Sequence, residues 1–141
     1  MNKGAIVCFA IVALACGWLL MGPSPKEPNQ VPAVKQTVDA YVRAFSVGDG
    51  QEACSLLTEA ARQAVVGMSA KVGAKDCPSA MVNTRQIGGP QVRAIVRKIR
   101  VRKVDVKGST AKVTLRAAGQ DTIAELEKDG GDWKIASLPK A

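Results

Sequence analysis

Residues Gly4 to Gly22 contain no Lys, Arg, Asp or Glu, and that run limits what the whole chain can become. As a helix these nineteen residues rise roughly 28 Å at about 1.5 Å each, close to the hydrocarbon thickness of a bilayer. Pro23-Ser24-Pro25-Lys26-Glu27-Pro28-Asn29-Gln30 ends the run abruptly, and the sequence beyond it has the mixed polarity of a water-soluble domain. The expected organisation is a transmembrane anchor or signal segment over 1–22, a Pro-rich linker over 23–30 and one domain over 31–141.

Three fates are open to the leader. Ala13-Leu14-Ala15 offers the small-x-small pattern of a signal-peptidase site. Cys16 could become the lipidated first residue of a lipoprotein, although Leu14 sits one place too close to it for a regular lipobox. Either cut leaves Trp18-Leu19-Leu20-Met21 exposed on the mature chain, whereas an uncleaved anchor places Trp18 near the outer membrane interface. The expectation is a single-pass membrane protein, contacting the membrane through residues 4–22, with its C-terminal domain outside the cytoplasm. Secretion or lipid anchoring after cleavage are the alternatives.

Cysteine usage agrees with export. Cys8 and Cys16 fall within the apolar run and read as small hydrophobes there. Cys54 and Cys77 are the two cysteines of the soluble part, and in an oxidising compartment they are expected to form a disulfide. The chain has no His, which removes the commonest general base. Two cysteines without histidine do not make a closed zinc site, and no cofactor is expected.

Within the soluble part the patterning changes once, near Gly88-Gly89-Pro90. Val34, Val38, Tyr41, Val42 and Phe45 share one helical face between Pro32 and Val47, and Gly48 stops that helix. Asp49, with Glu52 three residues on, starts a second helix that Leu56 and Leu57 close. Thr58 caps a third, from Glu59 to about Val66, and Asp76-Cys77-Pro78 opens a short fourth through about Arg85.

After Gly89 the period becomes two. Gly108-Ser109 makes a hairpin turn that sets Val106 opposite Ala111 and Val104 opposite Val113. Strict continuation would bury Arg102, so a bulge is expected near Arg102-Lys103, restoring Val101 opposite Leu115 and Ile99 opposite Ala117. A turn at Gly119-Gln120 would set Leu115 against Ala124 and Val113 against Leu126. One at Gly130-Gly131 would set Leu126 against Ile135, with Trp133 on the same face. The inward positions are then apolar residues with Thr122 and Ser137. The expected fold class is α+β: N-terminal helices packed on a curved, antiparallel four-stranded meander.

Tyr41-Val42-Arg43-Ala44-Phe45, Gly48-Asp49-Gly50, Ala53-Cys54-Ser55-Leu56-Leu57-Thr58, the later Cys77 and the final Trp133-Lys134-Ile135 stand in an order that resembles the nuclear transport factor 2-like superfamily. The likeness is to exported bacterial, especially actinobacterial, lipoprotein-like members with no assigned activity. It spans the soluble part and implies the cone-shaped fold of ketosteroid isomerases and polyketide cyclases. The enzymes of that superfamily line the cone with acidic groups or histidine. Here the inward sheet positions carry no carboxylate, Asp39 lies off the apolar helix face, and Asp49 reads as a cap. Asp121, Glu125 and Glu127 fall on the outer sheet face, with Glu127 facing Lys134. No catalysis is expected; a lyase- or isomerase-like member is the alternative.

Arg93, Arg97, Lys98, Arg100, Arg102, Lys103 and Lys107 crowd one stretch opposed by Asp105 alone. In the expected register Arg100, Lys103, Lys107, Lys112 and Arg116 point outward together, with Arg100 facing Arg116 and Asp105 facing Lys112. The face is either solvated or suited to anionic lipid, an anionic envelope polymer or an acidic protein partner. Nucleic acid is disfavoured, since the soluble part offers few aromatic residues for stacking. Two functions follow as expectations. One is a membrane-tethered, non-catalytic binding or assembly module of the cell envelope, able to pair with its own copy through the sheet. The other is a carrier of a small apolar ligand, or a degenerate enzyme, that uses the cone interior as a pocket.

Overall fold

A computed structural model of the chain describes residues 29–139. The expected anchor over 4–22, its cysteines Cys8 and Cys16, and the linker up to Pro28 lie outside the described residues. Among the described residues no helix is long and apolar enough to cross a membrane.

Among the described residues four helices precede four strands. α1 runs Val31–Val47, α2 Gly50–Ser55, α3 Glu59–Ser69 followed by a 3-10 turn over Ala70–Val72, and α4 Cys77–Arg97. β1 (Arg100–Lys107), β2 (Thr110–Ala117), β3 (Gln120–Asp129) and β4 (Asp132–Ser137) form one antiparallel sheet in chain order. The fold is therefore α+β. The helix boundaries follow the caps: the Asp49 carboxylate accepts from Glu52 N at 2.9 Å, and Thr58 Oγ1 accepts from Ala61 N at 3.2 Å. Gly48 closes α1 at φ 83°, where its N–H reaches back to the carbonyls of Ala44 and Phe45.

One face of the sheet and the inner faces of the helices make a single core. Val34, Leu57, Val113 and Leu126 are its largest fully buried side chains. The free edge of β4 is covered by the α2–α3 connection, since Thr58 N donates to Ile135 O at 2.9 Å and Ile135 N to Leu56 O at 2.8 Å. Cys54 and Cys77 are bonded, with Cα atoms 6.0 Å apart, and fasten α2 to the first residue of α4. Gly50 lies against the same junction. A Cβ there would stand 2.6 Å from Pro78 O, so the two helices approach as only glycine permits.

The four expected helices form, but two run further than their local pattern suggests. α3 continues to Ser69 rather than Val66, and α4 reaches Arg97 rather than Arg85. Gly88-Gly89-Pro90 divides α4 into two helical stretches that meet at a kink. Gly89 takes φ 58° and ψ −152°, a break in the helical path, and Pro90 restarts the helix where its missing N–H does no harm. The chain beyond Gly89 is thus helical for one more short stretch, not extended, and half-buries Val92 and Val96.

This kink gives a clean test of backbone strain. Gly89→Ala would meet no atom within 4 Å, so its cost comes from the backbone alone. It is expected to lose about 1–3 kcal/mol. Gly67→Ala on the exposed side of α3 also meets no neighbour, and should gain about 0.5–1 kcal/mol. Denaturant midpoints of the two variants, measured with equal slopes, should move in opposite directions.

In the sheet the first hairpin pairs as expected, with Val106 opposite Ala111, Val104 opposite Val113 and a bulge between Val101 and Lys103. β1 begins at Arg100, so Ile99 stays outside the ladder. The second hairpin is corrected by two residues: Ala111 faces Leu126, Val113 faces Ala124 and Leu115 faces Thr122. Its turn is Ala118-Gly119, with φ 51° and 81°, the pair of positive angles a two-residue I′ loop needs. A slip of two keeps every side chain on its face. The last hairpin sets Leu126 against Ile135, as expected, but a shift between Glu125 and Leu126 leaves Ala136 unpaired. That extra residue turns Ser137 outward beside Glu125, against the inward position its alternation suggests.

Candidate functional site

An apolar cleft in the described residues lies among the helices. α1 contributes Tyr41 and Phe45, one helical turn apart, and α3 contributes Val65, Met68 and Ser69. Val72 of the 3-10 turn extends that row. α4 adds Met81, Thr84, Ile87 and Gly88 before its kink and Val92 after it, and Leu138 closes the wall beyond β4. These side chains enclose a cleft of about 450 Å³. None of its lining residues comes from a strand. Ala111 and Ala124 are buried at 2% exposure.

The lining carries no charged side chain. Phe45, Val65, Ser69 and Met81 are buried and form the floor, whereas Met68, Val72 and Ile87 stand at the mouth. Met68 and Ile87 are 73% and 68% exposed, and with Val72 they give the mouth an apolar rim. The polar groups are three hydroxyls. Tyr41 Oη donates to Met81 Sδ at 3.7 Å while its ring stacks on Phe45, centroids 6.4 Å apart. Thr84 Oγ1 donates to Ala80 O at 2.8 Å, one turn back along α4. Ser69 is the buried polar residue of the described core.

Burial pushes the Tyr41 phenol up to about 12, because the phenolate would lose its water shell against the thioether and the apolar wall. The sign is fixed: the folded chain holds this proton more tightly than the unfolded chain. The contribution is fully present below about pH 10 and is lost as pH rises through 12. Tyr41 is the single tyrosine of the chain, so absorbance at about 295 nm follows this one group. The native protein is expected to ionise near pH 12 and the denatured protein near pH 10. Coincident curves would mean that the phenol is solvated.

The residues singled out from sequence fall as follows. Asp39 is exposed, and Asp49 serves as a helix cap. Among the described residues there is no group of three or more His, Cys, Asp or Glu that could hold a metal ion. Arg100, Lys103, Lys107, Lys112 and Arg116 share the outer sheet face, and Arg100 stands opposite Arg116. The two guanidinium groups turn apart. Arg100 donates to the carbonyls of Arg97 and Ile99 at 2.9 and 2.8 Å, at the negative end of α4, and Arg116 pairs with Asp121 at 3.3 Å.

Asp105 sits opposite Lys112 in the ladder, but their ion pairs are with other partners. Lys103 takes Asp105 at 3.0 Å, and Lys112 takes Glu125 at 3.8 Å. Lys134 likewise faces Glu127 but donates to the carbonyl of Ser55. The basic face is therefore a mixed-charge surface, and its exposed pairs contribute little to stability. Trp133 is buried as expected, and its Nε1 donates to Gln30 Oε1 at 3.2 Å.

In the sequence Tyr41 and Phe45 mark one apolar helical face, and nothing local distinguishes a cleft wall from packed core. The row Val65, Met68, Ser69, Val72 carried the missing signal: the helical period persists past Val66 and ends in bare Met68 and Val72. No family model, curated protein or solved structure matches the chain.

Proposed function

We propose that this chain is a non-catalytic binding domain and that the cleft between α1, α3 and α4 takes an apolar small molecule. The observation that carries the reading is the uncharged lining around about 450 Å³, a volume within the roughly 300–1,000 Å³ of small-molecule sites. Its only titratable wall group is Tyr41, held protonated far above neutral pH, so the wall offers no acid or base for chemistry near neutrality. The order of helices and meander supports a nuclear transport factor 2-like architecture. The Cys54–Cys77 bond supports an oxidising compartment, and residues 4–22 supply the tether that would hold the domain outside a membrane.

Thermal unfolding of the full chain in lipid nanodiscs, with and without a panel of neutral apolar compounds, tests the reading. A compound held at 100 times its Kd should add about 2.7 kcal/mol and raise the melting temperature by several degrees. Ile87→Asp, which puts a carboxylate at the mouth on an exposed position, should abolish the shift while leaving the unliganded melt nearly unchanged. No shift with any compound would remove the cleft from consideration.

A further inference from the structure

The polar groups of the cleft are unequal, and their inequality selects a ligand. Thr84 has its hydroxyl proton engaged by the Ala80 carbonyl at 2.8 Å, so toward the cleft it can only accept. Tyr41 has its proton directed at a thioether sulfur 3.7 Å away, among the weakest acceptors a protein offers. Ser69 lines the floor with a hydroxyl that can rotate to donate. The remaining lining side chains are hydrocarbon, thioether or aromatic ring. Met81, which receives the Tyr41 contact, is 4% exposed, and this places the phenol's donor at the floor.

Resting on the reading of the cleft as a ligand site, we infer that its ligand is an uncharged, mainly hydrocarbon molecule carrying one oxygen acceptor, and that Tyr41 Oη donates to that oxygen. A carbonyl or ether oxygen is a better acceptor than the Met81 sulfur, so the exchange of partners favours binding. The phenol stays protonated throughout the physiological range and is a permanent donor. An ionised head group has no cation at the floor to meet it and would lose its hydration uncompensated. A hydrocarbon tail fits the rest. Met68 and Met81 are unbranched and adapt to its shape, and the open mouth between Met68, Val72 and Ile87 lets a longer tail project.

Three probes of similar length separate the terms: octane, 2-octanone and octanoate. Each is titrated into the full chain in lipid nanodiscs, with empty nanodiscs subtracted, and read by thermal shift. Protein labelled with 13C at the tyrosine Cζ gives a single resonance, because Tyr41 is the only tyrosine. The ketone should bind about tenfold more tightly than octane, the margin of one hydrogen bond in an apolar site. Octanoate should bind least at neutral pH. The Cζ resonance should move with the ketone and stay in place with octane.

Tyr41→Phe keeps the ring and its stacking on Phe45, and should bring the ketone down to the level of octane. If octane and 2-octanone bind equally and the resonance is unmoved by both, the hydrogen-bonding role is overturned while the apolar site stands. Tightest binding by octanoate overturns the uncharged class. If none of the three binds, the cleft is not a ligand site and the underlying reading fails with it.

Discussion

Leu126→Ala is expected to cost about 4 kcal/mol, near the upper end of the roughly 2–5 kcal/mol seen for leucine truncation in cores. Leu126 is fully buried on β3, with Ala111 beside it on β2 and Ile135 on β4. The loss should be large because the site cannot collapse. β3 is held by ladders on both sides, and the nearest cross-strand neighbour on β2 is only an alanine. Against a typical domain stability of about 5–15 kcal/mol, this one substitution would leave a marginal protein. Ile123→Thr, on the opposite face of the same strand and 58% exposed, should stay within about 0.5 kcal/mol of the parent. Denaturant unfolding followed by circular dichroism measures both. Equal costs for the two would mean that the faces of β3 are assigned the wrong way round.

That contrast rests on the part of the fold most legible from the residues. Period-two alternation fixes which side chains of β2, β3 and β4 as far as Ile135 turn inward, because a slip by one residue would expose the whole apolar set; only the irregularity at Ala136 turns Ser137 the other way. It is indifferent to a slip by two. A two-residue loop around Gly119 can begin at Ala118 or at Gly119, and both choices bury Val113 and Leu115. The structure selects Ala118-Gly119, a choice set by backbone angles that hydrophobicity does not report. Charge partners are less legible still. The ladder brings Arg100 opposite Arg116 and Lys112 opposite Asp105, yet long side chains reach past their opposite numbers to Arg97 O, Asp121 and Glu125.

The cleft shows a different limit. Gly88-Gly89-Pro90 carries every local sign of a helix end, and the local signs are right about Gly89. What they cannot supply is the reason to resume. Val92 and Val96 find partly buried positions against the core on the far side of the break, and that tertiary contact makes a second helical stretch worth forming. The wall of the site therefore straddles a feature that reads as a boundary. Tyr41 and Phe45 were visible as a helical pair, but whether they face packed core or open space depends on how far α3 and α4 stand apart.

Removing the Cys54–Cys77 bond by a double alanine substitution is expected to cost about 3 kcal/mol, from the loop-closure entropy the unfolded chain regains. The two residues are 23 apart in sequence, and the loop they close contains all of α3 and the 3-10 turn. The effect should reach the cleft, because both walls depend on that closure. α3 lies within the loop, and α4 starts at Cys77 itself. Gly50 keeps α2 and α4 in register without the sulfur bridge, since its close approach to Pro78 is a backbone contact. The variant should therefore fold, melt lower and show a less tightly held Tyr41, with its ionisation moved down from about 12 toward the free value. A melt unchanged by the double substitution would mean that helix packing alone fixes the α2–α4 junction. A lowered melt with Tyr41 unmoved would mean that the loop's closure stabilises the chain without shaping its cleft.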